Sequence, residues 1–270
     1  MKTLPVLLLI SASTLFAANT SAKYSVEHSF LGKMANAYVN KNINNDLYTI
    51  ELSIQTTDLA ASLSNNLVKR FISQGTIKDG QFVPDVLTVS RHNDVEERYV
   101  VYQFDHQLKQ LQIDTSSKKI LTNRVLDAMS LSFSETKQIE YAHDSHQSAT
   151  YVRNDIISLF FNAKSYISTL DNSDGTVILA AGIDDDDEDD IDGILGFGIS
   201  NRDMQDMIHS SIKNDLITVT LSEKIFESKD KSLIIDINPD TLPQNVQLND
   251  VAFGDINIKR LFDNVGQLSR

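Results

Sequence analysis

The chain has no cysteine and no tryptophan in its 270 residues. The lack of cysteine excludes disulfides, thiolate metal ligands, a cysteine nucleophile and a lipidated cysteine anchor. The lack of tryptophan weakens any sugar-stacking cleft. Positive charge is also scarce: 24 Lys and Arg stand against 37 Asp and Glu, for a net charge of −13. Such a chain repels phosphate backbones, so no nucleic-acid partner is expected. There is no G-x-S-x-G elbow for a nucleophilic serine. Gly193, Gly196 and Gly198 miss the G-x-G-x-x-G spacing and follow an acidic run that would repel a pyrophosphate. No long apolar run follows residue 22, so no transmembrane segment is expected in the rest of the chain.

What is present begins at the N-terminus. Met1-Lys2 is a short basic start, Leu4 to Phe16 is an apolar run, and Ala17 to Ala22 is small and polar. That order is the pattern of an export signal cut after Ala22. The run is too short to span a bilayer comfortably. A buried first strand or helix is the alternative. The expectation is therefore a signal peptide over 1–22 and a single β-rich domain over 23–270. The chain would be soluble and periplasmic, with no lipobox cysteine.

Most of the remaining sequence alternates with period two. Ile50, Leu52 and Ile54 alternate with Thr49, Glu51 and Ser53, and Tyr24, Val26 and His28 alternate with Ser25 and Glu27. Similar runs occupy Val68–Ile77, Gln81–Ser90, Glu96–Phe104 and Leu108–Asp114, then Leu216–Phe226, Ser232–Asn238, Val246–Phe253 and Asp255–Leu261. Alternation of this kind marks sheets with one face buried and one wet. Asp79-Gly80 signals a tight hairpin, because both residues tolerate positive φ. His92-Asn93-Asp94 and Ser228-Lys229-Asp230 read as further tips. Successive hairpins imply an all-β fold with a few short helices, built as a large curved antiparallel meander sheet or partly open barrel. Helices are expected over Thr57–Ser64, over Asn154–Ser168 with Asn154 as N-cap, and over Asn201–Asn214. The segment Ser116–Ala149 is polar and poorly periodic.

Chemistry concentrates in one place. An acidic loop spans 183–193, with carboxylates at Asp184–Asp190 and Asp192. Glu188, Asp190, Asp192 and Gly193 match the first half of a calcium loop. The match stops there, since Ile199 stands where a bidentate Glu belongs. A solvated loop whose like charges repel one another is the competing reading. No cofactor is expected, with calcium at this half match as the weak exception. His143-Asp144-Ser145-His146 could ligate zinc or nickel if further ligands converged.

Several ordered segments together resemble an exported bacterial family called domain of unknown function 3108. They are Thr56–Leu63, the hairpin Ser73–Pro84, Val101–His106, Asp155–Phe161 and Asp250–Ile256. The resemblance implies an all-β periplasmic protein with a curved sheet similar to lipoprotein-carrier folds, and implies no activity. Together with the absent catalytic motifs, it leads us to expect a non-enzymatic binding or carrier protein. Its ligand groove would be lined by Ile50, Leu52, Ile54, Val86, Val89, Val100, Tyr102 and Phe104. The partner would be a lipid or an envelope protein. The plain alternative is that these residues pack beneath the Asn154–Ser168 helix. A structural or protein-interaction module of the cell envelope is the second functional expectation, and a hydrolase the third.

Overall fold

The structure is a computed structural model that describes residues 18–127, 132–169, 176–182, 194–199, 216–220, 232–237, 242–251 and 254–261. The first half is a run of hairpins: β1 (Ala18–His28), β2 (Gly32–Asn44), β3 (Leu47–Thr56), β4 (Val68–Lys78), β5 (Gln81–His92), β6 (Glu96–Asp105), β7 (Gln110–Asp127) and β8 (Ser132–Gln147). A short helix α1 (Asp58–Leu63) joins β3 to β4. Next come β9 (Asn154–Asp155) and the longer helix α2 (Ile156–Thr169). The second half adds β10 (Thr176–Ala181), β11 (Ile194–Ile199), β12 (Leu216–Thr220), β13 (Ser232–Ile237), β14 (Pro243–Val251) and β15 (Gly254–Leu261).

These strands form one sheet, ordered from β8 down to β1, then from β15 down to β9. The sheet is not closed into a barrel. Pairing is antiparallel except for the two-residue contact of β9 with β10. The order has a simple cause. Short turns fold each strand back on its predecessor, so sequence neighbours become sheet neighbours. Asp79 and Gly80, at φ +52 and +75, form the two-residue turn between β4 and β5. The exception is the seam: β1 pairs with β15, with Lys23 opposite Leu261 and His28 opposite Ile256.

The expected meander is there, and the structure differs from the sequence reading in three places. Residues Gly32–Asn44 form β2, which no expected run covered. The polar stretch after Ser116 is not irregular but forms the two longest strands, β7 and β8. Helix α2 is capped by Asp155, one residue later than expected. Its carboxylate accepts from the Ser158 amide, while the Asp155 amide donates to Ser158 Oγ at 3.0 Å. This reciprocal pair is a capping box with serine in place of the usual Glu. The expected cut after Ala22 falls inside β1, where Ala22 is buried beside Tyr24, Ala37 and Leu242. Residues 1–17, the expected helix at Asn201–Asn214 and the tip at Ser228–Asp230 lie outside the described residues.

One face of the sheet is apolar and α2 lies on it. The main cluster takes Tyr48 and Ile50 from β3, Leu87 and Val89 from β5, Val100, Tyr102 and Phe104 from β6, and Leu111 and Ile113 from β7, with Ile157 from α2. Alternation explains the choice: residues of one parity on each strand face α2 and the others face water. At about 25 cal/mol per Å² of apolar surface, burial of this kind is the main force holding α2 to the sheet.

Candidate functional site

Helix α2 decides what the apolar face can do. Its Asn162 side chain spans the Phe82 backbone, accepting from the amide at 2.8 Å and donating to the carbonyl at 2.7 Å. Phe161 packs at 5.6 Å from the Phe82 ring and carries Lys41 over its face at 5.6 Å. At the helix start, Ser73 Oγ donates to Asp155 Oδ2 at 2.5 Å, and Tyr48 shares a hydrogen bond with Ser73 at 3.1 Å. All of Asp155, Ser73 and Ser158 are buried. Burial pushes the Asp155 carboxyl up from 3.8 to about 6, partly offset by its hydrogen bonds to Ser158 and Ser73. The Tyr48 phenol is raised above its ordinary range, first by burial and then by the Asp155 charge. The Ser73 hydroxyl is fully buried and committed to Asp155, so it is not presented to a substrate. Sealed under α2, this cluster serves as a strut between helix and sheet.

The expected groove residues sort clearly. Ile50, Val89, Val100, Tyr102 and Phe104 are in the buried cluster that α2 covers. Leu52 packs against that cluster and against a second one around Tyr24 and Leu242, which Ile54 also joins. Val86 points the other way. It stands opposite Gln103 rather than beside Leu87 and Tyr102, because 86 and 89 have opposite parity on one strand. Leu87, Leu111 and Ile113 belong to the covered face and were absent from the expected set. The calcium candidates Glu188, Asp190 and Asp192, with the whole acidic loop, lie outside the described residues. His143 and His146 also differ in parity along β8, so they face opposite sides. His146 instead bonds Asp144 at 2.7 Å. No group of three or more His, Asp or Glu poised for a metal occurs among the described residues.

On the wet face, Val86, Gln103, Gln112 and Gln147 stand in register across β5 to β8. Gln103 donates to Asp114, Gln112 to Ser145, and Ser145 to Asp114 at 2.5 Å. The ladder floors an open cleft of about 350 Å³ that leads to the border of the sheet. That border, β8, is the most distinctive exposed element. It runs 16 residues and, among the described residues, pairs on one side only, with β7. Its residues 134–145 are exposed on both faces. Beyond Lys119 and Glu140 the hairpin outruns β6, so among the described residues 121–127 and 132–138 pair only with each other. The Arg124–Glu135 ion pair across this overhang is 2.7 Å long but well exposed. Such pairs contribute about 0–1 kcal/mol.

The backbone phase of β8 follows from one bond. The Ile120 amide donates to the Val95 carbonyl at 2.7 Å, towards β6. Within a strand, a residue's N–H and C=O point to the same side. Ile120 and Ile139 are therefore a non-hydrogen-bonded pair. Ile139 aims its own N–H and C=O at the open border, and so do the other odd-numbered residues of β8. Ser148 agrees in phase, donating back to Leu111 at 2.8 Å. The side chains flanking this row include Ile139 at 49% and Tyr141 at 74% exposure. Neither Pro nor Gly interrupts β8.

No family model matches the chain, and no curated protein or solved structure is detectably similar to it. The resemblance drawn from the sequence gains no support from these comparisons. Among the described residues no helix is long and apolar enough to cross a membrane.

Proposed function

We propose that this protein is an exported, non-enzymatic interaction module of the cell envelope, and that it recognises an extended segment laid along β8. The observation that carries the reading is the row of outward N–H and C=O groups on a long, uninterrupted border strand. Unpaired strand borders accept a further strand through main-chain hydrogen bonds. The overhanging hairpin adds to the argument. Two strands alone are marginally stable in water, and a third strand would support them. The apolar face is a weaker candidate, because a lipid carried there would have to displace α2 and break the Asn162–Phe82 and Asp155–Ser73 links. Export rests on the signal-like start of the chain; N-terminal sequencing of the envelope fraction should begin near Lys23.

The test is photo-crosslinking in intact cells. A crosslinker at position 139 or 141 should give discrete adducts that disappear when Ile139→Pro is combined with the 141 probe. Proline removes the outward N–H there without touching the ladder to β7. Adducts no stronger than those from an exposed probe at Leu59 on α1 would overturn the reading. Stoichiometric lipid co-purifying with the protein would favour the carrier instead.

A further inference from the structure

We infer that the segment received by β8 is β8 of a second copy, paired antiparallel about a two-fold axis through Ile139. The inference rests on the preceding reading of β8 as a binding border. A two-fold axis perpendicular to the sheet keeps each side chain on its own face, so only registers pairing residues of equal parity are open. Odd residues then meet odd residues, and those are the ones whose N–H and C=O point outward.

Among these registers, the one centred on Ile139 stands out for two independent reasons. It gives nearly full overlap of a strand that runs from Ser132 to Gln147. It is also complementary in charge and shape. On the wet face Ile139 meets its own copy, Lys137 meets Tyr141, and Glu135 meets His143. On the other face Gln138 meets Glu140, Thr136 meets Ala142, and Ser134 meets Asp144. No like charges stand opposite one another, and each polar pair can hydrogen-bond. Neighbouring registers are poorer in charge, in polar pairing or in overlap: a centre at Tyr141 also avoids like charges but leaves 132–134 without partners. A centre at Glu140 sets two carboxylates face to face. A centre at Lys137 does the same with two ammonium groups. A centre at Gln138 puts Glu135 against Tyr141 and Lys137 against Ile139.

The pairing is isologous and closes on itself, so it yields a dimer rather than a fibre. It would join two sheets edge to edge into one. It also supplies the third strand that the overhang at 121–127 and 132–138 lacks.

The absence of cysteine makes the register directly measurable. The expected results, on the full-length chain, are a mass of two copies at micromolar concentration by sedimentation and a single mass with Ile139→Pro. Ile139→Lys, which places two ammonium groups opposite each other without altering the backbone, should give the same loss. Under mild oxidation Ile139→Cys should become a covalent dimer, since opposed Cα atoms in a hydrogen-bonded pair lie about 5.5 Å apart, within disulfide reach. Leu47→Cys, at an exposed site away from β8, should stay monomeric. Lys137→Cys and Tyr141→Cys should each resist self-linking yet join when mixed. A wild-type monomer at every concentration, or an Ile139→Cys link no faster than Leu47→Cys, would overturn the inference. So would a dimer in which the Lys137→Cys and Tyr141→Cys mixture fails to join. If the chain is monomeric while cellular adducts from β8 still depend on the Ile139 amide, self-pairing fails and the interaction reading survives. If those adducts are absent too, both fall.

Discussion

Asp155 holds a carboxyl group with no solvent-exposed surface, and its titration is therefore tied to stability. Its folded value of about 6 exceeds the unfolded 3.8 because burial penalises the charge. The folded state thus binds the proton more tightly. Above pH 6 the desolvation cost is present in full, at most about 3 kcal/mol for that difference. As pH falls from 6 towards 3.8 the cost is relieved and stability rises. Asp155→Asn removes the charge but keeps an acceptor for the Ser158 amide. Urea unfolding should show wild type gaining stability between pH 7 and pH 5, with the variant nearly level over that window. A parallel pH response in both proteins would refute the assignment. Gly75 gives a second contrast. A Cβ there would run into the Val83 carbonyl oxygen and meet the Pro84 Cα at 2.8 Å, whereas at Gly80 it would meet nothing within 4 Å. Gly80→Ala should cost about 1 kcal/mol through its positive φ. Gly75→Ala should cost more, about 3 kcal/mol or beyond, since backbone must move. Equal melting temperatures for the two variants would contradict the close approach.

At the level of elements, the β8 phase makes adjacent prolines unequal. Ile139→Pro removes an amide that points outward and should cost under about 1 kcal/mol in the monomer. Glu140→Pro removes one aimed at β7 and orphans its partner carbonyl, a loss of about 2–3 kcal/mol. Thermal melts of the two, at a concentration too low for self-pairing, check the parity. A larger loss from Ile139→Pro would show the phase to be inverted. The same strand shows where sequence reading runs out. Alternation revealed β4, β5 and β6, because one side of each packs into the main buried cluster and the other is wetter. Residues 134–145 are wet on both sides, so nothing forces polar and apolar residues to alternate, and the strand was invisible. Val86 was misplaced on the apolar face for want of a parity check. The capping Asp155 could have been found from Asp-x-x-Ser ahead of an apolar run. Nothing local announced that β1 would meet β15, because pairing over that separation depends on the whole sheet.

Across the molecule, protection should be graded. The strands beneath α2 share the densest cluster, from Tyr48 to Ile113. Native-state hydrogen exchange should find the slowest amides in β3, β5 and β6, opening near the global unfolding energy. Along β8 the even-numbered amides, bonded to β7, should exchange more slowly than the odd ones in dilute protein. Uniform protection along that strand would count against its being a border.

The seam between β1 and β15 has a consequence for biosynthesis. A ribosome delivers Lys23 long before Gly254. At about 5–20 residues per second the delay is on the order of 10–50 s. During that interval the nascent chain can zip β1 to β2 and onward, but the other flank of β1 has no legitimate partner. The place where the sheet is joined last is in its middle, not at its rim. An immature chain therefore displays two sticky flanks where the finished one displays a single long border, and a chaperone that masks extended segments would be needed most just before translation ends.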